Sequence, residues 1–187
     1  MQDDIKAAID KAKAQMDAAI ERLEKELLRL RTGKASPSLV SGVMVDYYGS
    51  PTPLNQVANV ATADSRSLVI QPWEKSMIQA IERAIFESNL GITPQSDGEA
   101  VRINIPPLTE ERRKDLAKQA KAVGEDAKVS IRNARRDANN AIRREVDAGY
   151  PEDQAKGKEK RIQELTDDYT KRADDTVAAK EKELMTV

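Results

Sequence analysis

The chain contains no cysteine and no histidine among its 187 residues. The first absence removes disulfides, thiolate nucleophiles and zinc sites of the usual ligand set; the second removes imidazole acid–base chemistry. Aromatics are scarce, with one Trp, one Phe and four Tyr, which argues against a deep aromatic-lined pocket and for helices packed by Leu, Ile, Val and Ala. No apolar run approaches the roughly 20 residues needed to cross a bilayer. The opening Met1-Gln2-Asp3-Asp4 lacks the basic and apolar regions of a signal peptide. No phosphate-cradling glycine loop of the P-loop type occurs, so intrinsic nucleotide hydrolysis has no support. We therefore expect no catalytic residue, no metal site, no cofactor, no membrane contact and a cytoplasmic location. The net charge of -1 argues against bulk attraction to nucleic acid, although a locally segregated basic face would escape that average.

What the chain does have is helical periodicity at both ends. Between Asp3 and Arg31, Ile5, Ala12 and Ala19 form one row at seven-residue spacing, and Ile9, Met16, Leu23 and Leu30 form a second. These are the two rows of a bundle seam, and Gly33 follows as a helix terminator. A second long helix is expected after Thr109, an N-cap residue followed by Glu110 and Glu111 at the positive end of the dipole. Its apolar row is Leu116, Ala120, Val123, Ala127, Ile131, Ala134, Ala138 and Ile142, closed by Gly149-Tyr150-Pro151. The third helix carries Ile162, Leu165, Tyr169, Thr176 and Ala179 at similar spacing.

The middle of the chain follows another rule. Val43 to Tyr48 is β-branched and aromatic, stopped by Gly49-Ser50-Pro51-Thr52-Pro53; Val57 to Val60 and Ser67 to Gln71 are further strand candidates. Residues 74 to 89 show helical spacing through Met77, Ile78, Ile81, Ala84 and Ile85, with Phe86 a further candidate and Gly91 as the expected cap. Ala100 to Ile105 alternates, placing Val101, Ile103 and Ile105 on one side, before Pro106-Pro107 forbids continuation. Tyr47-Tyr48-Gly49 could expose a binding aromatic, but a strand tyrosine is more often half-buried packing, and Trp73 is read in the same way, as anchoring the small helix to the strands. The fold expectation is thus α+β. An elongated three-helix bundle comprises residues 1–31 and 106–187, and a small β/α domain is inserted at 32–105. The junction residues Arg31, Thr32, Gly33, Lys34, Ile105, Pro106 and Pro107 form two short connections that can act as one hinge.

The second long helix also segregates its charge. From Lys128 to Arg144 there are six basic residues, Lys128, Arg132, Arg135, Arg136, Arg143 and Arg144, against the single acid Asp137. At 100° per residue, all but Arg144 fall within roughly 60° of Arg132, together with Asn139, on a face the bundle does not use. Charged helix surfaces are ordinary, which is the plainer reading. Two details favour nucleic acid: arginine outnumbers lysine, and its planar fork suits phosphate; few carboxylates stand at i±4 to neutralise the stripe. With no aromatics interleaved, contact would be to backbone phosphates. The acidic doublets Glu110-Glu111, Asp167-Asp168 and Asp174-Asp175 read as solvated faces, because helical neighbours diverge by about 100°. A helical adaptor binding partners through its seam, and more remotely an enzyme built on carboxylates, are the rival functions.

Four runs together carry a family resemblance: Arg31 to Leu39 (RTGKASPSL), Tyr47 to Leu54 (YYGSPTPL), Pro106 to Lys114 (PPLTEERRK) and Ile131 to Asn139 (IRNARRDAN). In order and spacing the chain closely resembles bacterial ribosome recycling factor. The resemblance implies an L-shaped molecule, a three-helix bundle joined flexibly to a small β/α domain. It also implies a role on the post-termination ribosome: with elongation factor G and that partner's GTP hydrolysis, the factor splits the ribosome into subunits, freeing mRNA and deacylated tRNA. It implies no catalytic centre in the chain itself. The family's contacts to large-subunit rRNA fall on Arg132, Arg135 and Arg136, and its junction segment on Arg31, Gly33 and Lys34; Lys128 and Arg143 complete the basic face. Lys34 stands where some relatives have Arg, which keeps charge but changes the fork geometry. The expected partners are the ribosome and elongation factor G, with the factor itself a monomer.

Overall fold

In a computed structural model, residues 2–30 and 33–186 are described. The elements in chain order are α1 (Gln2–Leu28), β1 (Met44–Tyr47), β2 (Ser50–Pro53), α2 (Leu54–Val57), β3 (Ala58–Asp64), β4 (Ser67–Pro72), α3 (Ile78–Glu87), β5 (Pro94–Ser96), β6 (Val101–Asn104), α4 (Glu110–Asp147) and α5 (Glu152–Met185). The chain divides into two compact units, residues 1–31 with 110–187, and residues 32–109.

The first unit is a bundle of α1, α4 and α5. At 1.5 Å per residue, the 38 residues of α4 make a rod of about 57 Å. The seven-residue rows of α1 are where the packing lies: Ile5, Ala12, Met16, Ala19 and Leu23 are buried, joined by Ile20 and Leu27. On α4 the buried row runs Leu116, Ala120, Gly124, Ala127, Ile131, Ala134, Ala138 and Ile142. Val123 is only half-buried; Gly124 takes its place. A Cβ at Gly124 would come within 2.5 Å of Val177 Cγ2, so this glycine is what allows α5 its close approach. On α5, Ala155, Ile162, Leu165, Thr166, Tyr169, Ala173 and Leu184 are buried, whereas Ala179 is exposed. The expected period therefore drifts off the core after Tyr169. Full burial of Ile131, Ile142 and Ile162 contributes about 1.5–3 kcal/mol each. The α4–α5 corner is a Schellman closure: Tyr150 N donates to Glu145 O at 2.9 Å and Gly149 N to Val146 O at 2.9 Å, with Gly149 at φ 104°.

The second unit holds a four-stranded antiparallel sheet in the order β3-β4-β6-β5 and a separate β1-β2 hairpin. Alternation places Leu68 and Ile70 of β4 opposite Ile103 and Val101 of β6, and all four are fully buried. Ile78, Ile81 and Ile85 of α3 share their core, as do Val43, Val45, Leu54 and Val57. Two strands were not expected. β2 contains Pro51 and Pro53, which a two-stranded ribbon tolerates because neither residue must donate to a further strand. β5 is three polar or proline residues held by pairing with β6. At the end of α3, the left-handed residue just past the helix is Asn89, at φ 56°, and not the expected Gly91; Asn tolerates that conformation. Three expected packing residues turn outward: Tyr48 is 74% exposed, Trp73 67% and Phe86 73%.

Candidate nucleic-acid interface

The rotation of α4 is fixed by its buried row. With Ile131, Ala134, Ala138 and Ile142 locked into the bundle, Arg132, Arg136, Arg143 and Arg144 are exposed and Arg135 is half-exposed. Arg132 and Arg143 make no hydrogen bond or ion pair among the described residues. Arg136 Nε stands 3.6 Å from Asp137 Oδ1, a solvent-facing pair with little hold on the side chain. Arg135 Nη1 donates to Gln163 Oε1 of α5 at 3.2 Å, and Gln163 in turn donates to Asp167 Oδ1 at 2.8 Å. That chain steadies one guanidinium against α5 through a neutral partner, leaving its charge uncompensated by direct contact.

Lys128 stands apart. Its Nζ lies 2.8 Å from Glu125 Oε1 and 3.0 Å from Asp174 Oδ1 of α5. Hydrogen bonds to Glu125 and then Asp174 hold its pKa above the ordinary lysine value. The scarcity of neutralising carboxylates thus describes the arginines and not Lys128, whose partners come from i-3 and from another helix. Spacing on one helix cannot reveal a strut to its neighbour. Asn139, half-buried between Arg135 and Arg143 at four-residue steps, has a buried Oδ1 with no partner among the described residues.

Of the acidic doublets, Glu110 pairs with Lys114 at 3.2 Å, Asp175 with Lys171 at 3.8 Å and Asp174 with Lys128 at 3.0 Å, while Asp167 accepts from the neutral Gln163. Among the described residues, no group of three or more acidic side chains is placed to hold a metal ion. An open groove of about 440 Å³ runs between α4 and α5 beside Lys128, lined by Gly124, Val177 and Ala178 among others. No helix is long and apolar enough to cross a membrane among the described residues.

At the expected junction, Arg31 and Thr32 lie outside the described residues. Gly33 has φ 75°, and a Cβ there would meet Leu108 Cγ at 3.2 Å, so both backbone angle and space call for glycine. Ala35 N donates to Ser65 O and Ile105 N to Arg66 O, each at 2.8 Å. The β3–β4 turn therefore holds the entering and leaving segments side by side. Lys34, Pro106 and Pro107 are exposed, and Ile105 is half-buried.

Residues 23–185 match the family model described as ribosome recycling factor. The chain belongs to that family. The ribosome-recycling factor of Porphyromonas gingivalis is 54% identical over 185 residues, covering 98% of this chain and all of that one. That of Bacteroides thetaiotaomicron is 52% identical over 184 residues, covering 98% and 99%. A solution structure of the ribosome recycling factor aligns with a TM-score of 0.77 at 38% identity, covering 98% of each chain. Another structure, at TM-score 0.62 and 41% identity over 97% of this chain and 99% of that one, is described as models for the T. thermophilus ribosome recycling factor and the E. coli elongation factor G bound to the E. coli post-termination complex. Within the ribosome recycling factor family, the bundle with its β/α unit is the shared architecture.

Proposed function

We propose that this protein is a ribosome recycling factor that docks on the large ribosomal subunit through the outer face of α4. Arg132, Arg135, Arg136 and Arg143 contact rRNA phosphates, Lys128 bracing the same face from the α5 side. Elongation factor G, hydrolysing GTP, pushes on the β/α unit, and the connections at residues 31–34 and 105–107 pass that force to the bundle. The ribosome separates into subunits, and mRNA and deacylated tRNA leave for a new round of translation. The protein works in the cytoplasm as a monomer and carries out no bond chemistry itself.

The observation that carries the docking reading is the pair of opposed faces on one helix: a closed apolar row inward, and outward a set of guanidinium groups without carboxylate partners at Arg132 and Arg143. Phosphates supply what those groups lack. The adaptor reading fares worse, because the seam it would use is already filled by Ile5, Met16, Leu23, Ile131 and Ile162.

The test is sedimentation of the protein with purified large subunits across a salt series. Replacing Arg132 and Arg135 together by alanine should weaken binding and flatten the slope of log affinity against log salt by about one per lost phosphate contact. Unchanged affinity and slope would refute docking through this face.

A further inference from the structure

The β1–β2 hairpin turns through Tyr48-Gly49, both with positive φ, 48° and 87°. A two-residue turn of that kind is ordinarily made by Asn-Gly or Gly-Gly, since a bulky side chain is strained there. Tyr48 bears that strain while 74% exposed, so packing does not explain its presence. Its hydroxyl donates to Glu74 Oε2 at 2.9 Å, and the neighbouring Tyr47 hydroxyl donates to Glu74 Oε1 at 2.9 Å. The two rings meet edge to face with centroids 4.7 Å apart. One carboxylate is thereby gripped at both oxygens by two phenols.

We propose that Tyr47, Tyr48 and Glu74 form a binding site for an arginine side chain presented by a protein partner. Each carboxylate oxygen uses one lone pair on a tyrosine and keeps another free, and the two grips fix the carboxylate plane. A planar guanidinium matches such a pair of acceptors bidentately, where an ammonium would meet only one. The exposed Tyr48 ring supplies a π-face beside the charge. Glu74 has no cationic partner among the described residues, and the adjacent Lys75 is turned to Glu99, 3.5 Å away. The negative charge excludes a phosphate backbone, so the occupant is protein and not RNA. The site lies wholly within residues 32–109 and does not depend on the arginine face of α4.

The whole protein, labelled with ¹⁵N, would be titrated with N-acetyl-arginine amide and, separately, with its uncharged isostere N-acetyl-citrulline amide. The expected result is saturable shifts at the amides of Tyr48, Gly49 and Glu74 that are several-fold larger with the arginine compound. Glu74→Gln should abolish that difference. Should Glu74→Gln lose a dispersed spectrum, Tyr48→Asn serves instead, because Asn accepts the left-handed turn while removing ring and hydroxyl; it should shrink the difference, since one grip on the carboxylate and the π-face are gone. Equal response to the two compounds, or an arginine-specific response undiminished in the folded variant, overturns the site. Neither result bears on large-subunit docking, which has its own test above.

Discussion

Gly124 shows how much a single missing side chain decides. A glycine inside a helix costs about 1 kcal/mol relative to alanine, so Gly124→Ala would stabilise α4 in isolation. In the bundle the added methyl meets Val177 Cγ2, a stiff β-branched neighbour that cannot swing clear. We expect Gly124→Ala to lower stability to denaturant by about 1–3 kcal/mol, and Val177→Ala in the same chain to restore part of it. Greater stability in the single variant would show that α5 yields. Asp97 offers a second test. It accepts from Ala100 N at 2.9 Å and Glu99 N at 3.0 Å, and also from Arg102 Nε at 3.3 Å. The backbone donors, first Ala100 and then Glu99, hold its pKa below the ordinary carboxylate value. A depressed folded pKa contributes stability above the unfolded value and loses it as pH falls through the folded one. The deficit of Asp97→Asn should therefore stay constant through neutral pH and shrink below about pH 4, as read by denaturant melts across pH. A deficit independent of pH down to acid unfolding would show that the charge plays no part.

At the scale of elements, α4 does two jobs with one period, and the sequence displays both. Its apolar row and its cations were legible because side chains at three- and four-residue steps must share a face. The row of α5 was less so: Tyr169 is buried, yet Thr176 is only half-buried and Ala179 exposed. Alanine fits a core or a surface equally, and only contact with a neighbour chooses. The strands show the same limit. β4 and β6 announce themselves by alternation, whereas β5 has no apolar pattern and exists through its partner. Tyr48 and Trp73, read as packing residues, are exposed, because aromatic character says nothing about which side of a hairpin is covered. The α4–α5 corner gives a prediction of its own. Gly149→Ala, at φ 104°, should lower bundle stability by about 1–2 kcal/mol, measured by thermal unfolding; an unchanged midpoint would mean the corner relaxes without cost.

At the scale of the whole molecule, the proposed mechanism asks the connections to carry force between two units. The exit connection is stiffened by Pro106-Pro107, whose rings fix φ and favour an extended segment. Replacing both prolines by glycine should leave large-subunit binding within about twofold, a change of roughly 0.4 kcal/mol, while slowing subunit splitting by elongation factor G and GTP. Splitting at the full rate, followed by light scattering, would remove force transmission from the account.

The sequence by itself determined the elements that repeat: three amphipathic helices, the alternating strands β4 and β6, the outward arginines, and the Gly and Pro punctuation between units. These follow from local geometry, since helical and extended backbones impose periods that any core-facing row must obey. Only the tertiary structure decided that Gly124 belongs to the row and Val123 does not, that Lys128 is a strut to Asp174, and that Glu74 is held between two tyrosines. Each of those depends on an atom from a distant part of the chain, and no spacing along one element encodes where such an atom will stand.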